Sequence, residues 1–112
     1  MANINICNII MITKDLILTT GWDKISIINI NNYKLKIINV PGADYIYGVC
    51  MLNQNMLLTG DQEGVKRQWR IEGDNLILVS GKEKALGINI NILLNLESGH
   101  IASGSDDGSI KI

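Results

Sequence analysis

Three stretches of this sequence end in the same way, and their spacing constrains the fold more than any other feature. Each is an apolar run that closes on Thr-Gly or Ser-Gly, at residues 16–21, 55–60 and 100–104. The closing glycines, Gly21, Gly60 and Gly104, recur after 39 and 44 residues, close to the roughly 40 to 45 residues of a repeated four-stranded unit. A polar turn and a second strand-like run follow each glycine. The pattern therefore predicts repeated antiparallel hairpins.

The amino-acid composition also favours strands. Isoleucine and asparagine dominate, phenylalanine is absent, and alanine occurs only four times. Branching at Cβ suits isoleucine to strands, whereas alanine is the best helix former. Residues 88–92 alternate isoleucine and asparagine with the period of two that a half-buried strand requires. We therefore predict an all-β fold.

The last of the three stretches, with the residues around it, resembles the second half of a WD40 repeat. Residues 99–112 read GHIASGSDDGSIKI. Residues 56–69 are similar and place Trp69 where that repeat carries its tryptophan, and residues 18–30 are a weaker, slightly shortened copy. The resemblance spans nearly the whole chain. It implies a partial β-propeller, with four-stranded antiparallel blades at about 4–40 and 45–81 and a truncated third blade at 88–112.

Each blade is expected to run from an inner strand through two central strands to an outer strand. The inner strands fall at about 4–12, 45–52 and 88–94, and the outer strands at about 34–39 and 75–80. A propeller ring typically takes about four to eight blades. These blades are therefore expected to be a fragment of a larger propeller, or to close a ring by self-association.

The sequence departs from the WD40 pattern just before the inner strands. The Gly-His pair of the family is Gly42-Ala43 in one repeat and is missing from residues 82–86 in the other. The family's hydrogen-bonded tetrad of histidine, aspartate, serine or threonine, and tryptophan is therefore incomplete. Only fragments of that network are expected.

Carboxylates recur in the turn after each second strand. Asp23, Glu63 and Asp107 are predicted to hold these turns, because a turn carboxylate accepts bonds from the backbone N–H groups that follow it. Gly64 and Gly108 are predicted to supply the positive φ values. A calcium loop would need more oxygen ligands at fixed spacing, so neither a metal nor a cofactor is predicted.

The single histidine raises the alternative of a hydrolase. His100 lies near Ser98, Ser103 and Asp106 in sequence, but no strand–turn–helix elbow is present to raise a nucleophile. We interpret His100 as a solvated turn residue and predict no enzymatic activity in this chain. The resemblance implies a non-catalytic scaffold for other proteins. The alternative is part of a propeller enzyme, or of a lipid- or phosphate-binding propeller, whose active residues lie outside this chain.

Five residues are candidates for contact with a protein partner. Trp22, Tyr45 and Tyr47 fall near turns or strand ends, where the resemblance places partner-binding loops; packing between neighbouring blades is the alternative. Arg67 and Arg70 belong to residues 66–70 (KRQWR), which interleave cations with an aromatic ring as nucleic-acid and phosphoinositide sites do. In a strand, alternate side chains point to opposite faces, so these charges are split between two surfaces.

Charge, cysteine usage and hydropathy indicate which partners and which cellular location are expected. Ten basic residues against eleven acidic residues give a formal net charge of -1, so nucleic acid is not an expected partner. No apolar run approaches the ~18 residues that a membrane span needs. Cys7 and Cys50 lack CxxC spacing and are interpreted as buried thiols. A cytoplasmic or nuclear location is expected.

Overall fold

The computed structural model describes residues 6–82, 89–96 and 99–112, and the fold is all-β, as predicted. Its strands are β1 (Ile6–Met11), β2 (Leu16–Gly21), β3 (Lys24–Asn29), β4 (Leu35–Asn39), β5 (Ile46–Met51), β6 (Met56–Asp61), β7 (Lys66–Glu72), β8 (Asn75–Lys82), β9 (Ile92–Asn95), β10 (Ile101–Gly104) and β11 (Ile110–Lys111). Across the described ranges, no helix has the length and apolar character needed to cross a membrane.

The strands form three antiparallel sheets in which each strand pairs with the next along the chain. Sheet 1 contains β1 to β4, sheet 2 contains β5 to β8, and sheet 3 contains β9 to β11. This order confirms the predicted succession of four antiparallel strands in each of the first two repeats. Short turns allow it, because antiparallel neighbours can be joined by a few residues.

The third inner strand is shorter than predicted. The pattern placed it at 88–94, whereas β9 is Ile92–Asn95, and residue 88 lies outside the described residues. The side-chain amides of Asn89 and Asn91 donate to the Asp106 carboxylate. The Asn91 backbone N–H still bonds the Gly104 carbonyl oxygen at 2.9 Å. The Ile/Asn alternation therefore serves a turn as well as a strand.

The strand register corrects the first repeat by one residue. Ile6 pairs with Gly21 and Ile46 with Asp61, and each pair is followed by a bulge. Strands β1 and β2 therefore correspond to β5 and β6 at an offset of 40 residues, and Gly21 matches Asp61 instead of Gly60. The sequence pattern missed this because the first turn is tighter: the pair Thr20–Ile25 closes it, against Gly60–Lys66 in sheet 2.

Sheet 2 is covered on both faces. The larger core lies between sheets 1 and 2 and contains Leu18, Ile27, Leu57 and Trp69. The smaller one lies between sheets 2 and 3 and is centred on Cys50, Ile90 and Leu93. Burying one such side chain stabilises the fold by about 1.5–3 kcal/mol. Packing between sheets therefore fixes their relative positions.

Gly60 is required where sheet 3 approaches sheet 2. A Cβ atom at this position would lie 2.5 Å from Cγ2 of Ile90, which is closer than packed atoms tolerate. Because Gly60 has no side chain, Ile90 packs directly against β6. The Ile90 N–H bonds the Asp61 carbonyl oxygen at 3.0 Å. This contact positions the neighbouring Asn89 at the end of the sheets.

Two buried polar contacts tie β6 to β7. Trp69 Nε1 donates to Thr59 Oγ1 at 3.0 Å in the interior. Arg67 Nη1 pairs with Asp61 Oδ2 at 2.7 Å, with side-chain exposures of 12% and 1%. A charge pair removed from water is favourable only with close geometry and further hydrogen bonds. Asp61 meets this condition by also accepting from the Val65 N–H at 3.0 Å.

Candidate protein-binding site

Turns and connecting segments from all three sheets meet at one end of the strands, which we call the loop end. The turns after β2, β6 and β10 lie there beside residues 40–45 and 89–91. The Asp23 N–H bonds the Asp44 carbonyl at 3.3 Å, and the Gln62 N–H bonds the Tyr45 carbonyl at 2.9 Å. Both bonds reach the segment that enters sheet 2, and the Ile90 N–H links Asp61, at the start of the turn after β6, to the segment that enters sheet 3. Side chains at the loop end therefore sit on a frame of backbone hydrogen bonds.

Three aromatic side chains form a cluster at the loop end. The ring centroids of Trp22 and Tyr45 are 4.6 Å apart with the planes at 90°, an edge-to-face contact. Tyr45 and Tyr47 are 5.7 Å apart and tilted by 31°. Trp22 is exposed, and the two tyrosines are half-buried. Trp22 lies in the turn after β2 and pairs with Tyr45, which directly precedes β5, in an isolated antiparallel bridge, and Tyr47 lies in β5. The cluster therefore links sheets 1 and 2 and still presents a ring to solvent.

Tyr47 lies where sheet 1 meets sheet 2. Its backbone carbonyl accepts a bond of 2.9 Å from Asn8 Nδ2 of β1. Partial burial raises the pKa of the Tyr47 hydroxyl, and the nearby Cys7, Tyr45, Asp106 and Asp44 raise it further. Tyr47 therefore stays neutral at physiological pH and can both donate and accept a hydrogen bond.

A shallow acidic groove runs beside the aromatic cluster. It is lined by the turns after β6 and β10 and by the segments that enter sheets 2 and 3. Its residues are Asp44, Gln62, Glu63, Asn89, Ser105, Asp106 and Asp107. Four of these seven carry carboxylates, and none is cationic. The whole chain is almost neutral, so the concentration of negative charge arises from folding.

Asn89 organises one wall of the acidic groove. Its side-chain oxygen accepts from Ser105 Oγ at 2.7 Å and from the Asp106 N–H at 3.1 Å. Its amide nitrogen donates to the Asp106 carboxylate, as does that of Asn91. Charge-assisted bonds of this kind hold an anion in a defined orientation.

Two of the predicted turn residues are glycines with the expected backbone. Gly64 and Gly108 both have φ of 84°. The Gly64 N–H bonds the Asp61 carbonyl at 3.0 Å, and the Gly108 N–H bonds the Ser105 carbonyl at 3.1 Å. A side chain is strained at such φ values, so both glycines serve the turn.

The carboxylates of the turns differ in what they bind. Asp107 Oδ1 accepts from the Ser109 hydroxyl at 2.5 Å and from its N–H at 2.8 Å, and these bonds lower the pKa of Asp107. Asp23 instead adopts φ of 48° and pairs with Lys24 Nζ at 2.9 Å. Glu63 is exposed in the acidic groove. In that turn Asp61 accepts the backbone bond, at Val65.

The two candidate arginines lie in different surroundings. The guanidinium of Arg67 pairs with the buried carboxylate of Asp61, and its side chain is 12% exposed. Arg70 is exposed, with Nε 3.1 Å from Glu72 Oε1. The structure therefore places both arginines outside the acidic groove.

The histidine and the two cysteines lie apart from any metal-binding cluster among the described residues. No group of three or more histidine, cysteine or acidic side chains among them could hold a metal ion. His100 precedes β10 and Asp106 follows it, so the strand separates them, and Ser98 lies outside the described residues. Burial raises the pKa of the Cys7 and Cys50 thiols, which disfavours the reactive thiolate.

Comparison with known proteins adds no relative. No protein-family model matches this chain, and no curated protein matches it in sequence. The functional argument for this molecule therefore rests on the geometry of the loop end.

Sequence reasoning missed most of the acidic groove. Asp44, Gln62 and Asn89 were assigned to turns or strands, and the contact that unites them spans about one repeat of sequence. The one available signal was the Ile/Asn alternation at 88–92, because polar side chains at every second position mark a face that binds something other than the core.

Proposed function

We propose that the three sheets are WD40-type blades of a β-propeller, and that the chain is a non-catalytic scaffold that binds partner proteins at its loop end. The proposal is carried by the meeting of an exposed aromatic cluster with the acidic groove on a frame of backbone bonds. Two features support the propeller: the sheets repeat in register, and the bond between Trp69 and Thr59 is a fragment of the family's tetrad.

The aromatic cluster has the properties of an interface anchor. Tryptophan and tyrosine dominate binding hot spots because they bury a large apolar surface at a low entropic cost. Trp22 is held edge-on by Tyr45, which is itself packed beside Tyr47. A partner would therefore meet side chains that are already ordered, and less conformational entropy is lost on binding.

The acidic groove defines the charge of the partner. Asp44, Glu63, Asp106 and Asp107 attract lysine and arginine side chains, and they repel phosphate and anionic lipid headgroups. A partner segment that carries cationic residues beside an apolar anchor fits both parts of the surface. The described residues thus favour a protein partner over the lipid- or phosphate-binding alternative.

The test is quantitative affinity capture from cell extract with the full chain and two matched tyrosine variants. Tyr45→Ala removes the centre of the aromatic cluster, whereas Tyr33→Ala removes an exposed tyrosine from the β3–β4 turn, at the other end of the strands. Partners bound at the loop end should be lost at least tenfold with Tyr45→Ala, which corresponds to ~1.4 kcal/mol, and retained with Tyr33→Ala.

Salt dependence supplies a second measurement in the same experiment. Binding to the acidic groove should weaken as ionic strength rises, because surface charges are screened over about 8–10 Å at physiological salt. Equal recovery of every partner by wild type and Tyr45→Ala would contradict the proposal.

A further inference from the structure

Sheets 1 and 3 each leave one apolar face open to solvent, at opposite ends of the stack of sheets. On sheet 1 the open face, which we call the β1 face, carries Ile9, Met11 and Leu35. On sheet 3 the open face, which we call the β9 face, carries Ile92, Leu94 and Ile110. All six side chains are more than half exposed, and contiguous apolar patches of this kind mark interaction surfaces.

Strand register shows what the β1 face is built to contact. Ile9 pairs with Thr19, Val49 with Thr59, and Leu93 with Ser103. These three pairs occupy the same place in successive sheets. Val49 is 6% exposed and Leu93 5%, because each packs on the sheet that precedes it, whereas Ile9 is 59% exposed. The β1 face is therefore a copy of two surfaces that are buried inside the molecule.

The β9 face is a copy of the complementary surface. Leu94 pairs with Ala102 as Cys50 pairs with Leu58 and Ile10 with Leu18. Ile10 packs toward sheet 2, and Cys50, 8% exposed, packs toward sheet 3. Leu94 is 59% exposed. The β9 face therefore corresponds to the faces of sheets 1 and 2 on which the next sheet packs.

We infer that the β9 face of one copy of this chain binds the β1 face of a second copy, head to tail. The contact continues the packing of sheet 1 on sheet 2 and of sheet 2 on sheet 3, with Ile9 of one copy against Leu94 of the other. A head-to-tail contact closes into a ring if its rotation allows and otherwise extends into a chain of copies. This inference does not depend on the proposed partner site at the loop end.

The test is size-exclusion chromatography with light scattering across a dilution series of the full chain. Wild type should have at least twice the monomer mass of 12.3 kDa. Ile9→Lys blocks the β1 face, and Leu94→Lys blocks the β9 face, so each variant alone should be monomeric. Their mixture retains one intact face of each kind and should form a 1:1 dimer that grows no further. Tyr33→Lys, in an exposed turn, is the control and should assemble as wild type does.

Three results would overturn the inference: a monomeric wild type, assembly of either single variant at wild-type affinity, or a mixture of folded variants that stays monomeric. A monomeric wild type would assign the open faces to a different protein or to other segments of sequence. Far-UV circular dichroism establishes that the variants are folded. If either lysine variant does not fold, Ile9→Thr and Leu94→Thr carry the same test, because threonine suits strands and weakens apolar packing.

Discussion

Thr59 and Thr20 are two buried threonines whose hydroxyls differ in hydrogen bonding. Thr59 Oγ1 accepts a bond of 3.0 Å from Trp69 Nε1, whereas Thr20 Oγ1 is the buried side-chain oxygen for which the described residues supply no partner. Valine has nearly the same shape as threonine and lacks the hydroxyl. The same substitution at the two sites should therefore change the free energy of unfolding in opposite directions.

The expected changes in the free energy of unfolding depend on whether each substitution creates or removes an unpaired buried polar group. Thr59→Val strands the indole N–H in the interior, which costs about 1–3 kcal/mol. Thr20→Val removes a hydroxyl whose loss of hydration is not compensated, and should raise the stability by about 1 kcal/mol. Thr20 lies in β2 and Thr59 in β6, and both are almost fully buried, with exposures of 1% and 2%. Differences in exposure therefore do not confound the comparison.

The assay is urea unfolding of the full chain followed by far-UV circular dichroism, with the slope of the transition compared between variants. Trp69→Phe completes a double-mutant cycle with Thr59→Val, and a coupling of about 1 kcal/mol is expected for the lost bond. If Thr20→Val destabilises the protein as much as Thr59→Val does, then the hydroxyls do not decide these effects and the reasoning fails.

Three further substitutions test the packing and charge contacts. Gly60→Ala should cost about 1–3 kcal/mol because its Cβ would meet Ile90, while Gly81→Ala, with its nearest neighbour 3.8 Å away, should be close to neutral in urea unfolding. Asp61→Asn strands the inward-facing Arg67 and should cost about 3–5 kcal/mol, whereas Glu72→Gln, in an exposed pair with Arg70, should cost less than about 1 kcal/mol; similar losses in thermal unfolding would refute this ranking. Because hydrogen bonds hold the pKa of Asp107 below its ordinary value of 3.8, its contribution to the β10–β11 turn is present above that value and is lost as pH falls through the lower, folded-state pKa. Amide hydrogen exchange at Ser109 should show this acid transition in wild type, and Asp107→Asn should abolish it.

The sequence by itself determined the elements of this protein and their order. Isoleucine-rich segments favour strands because β-branched side chains suit the pleated backbone. Gly64 and Gly108 fix turns because only glycine adopts their φ without strain. Such preferences act within a few residues. They therefore act before any tertiary contact forms, and they predicted the first and last strands of sheets 1 and 2.

Only the tertiary structure decided the register of the strands, the partners of individual charged side chains and which residues meet at the loop end. Thr20, not Gly21, occupies the place of Gly60, since backbone pairing across the tighter first turn sets the register. Arg67 points inward because Asp61, six residues earlier, lies beside it across the hairpin. The acidic groove joins Asp44 to Asp106, residues that no local pattern connects. Charges brought together from separate turns interact over distances that depend on how sheets pack, and packing is a property of the whole chain.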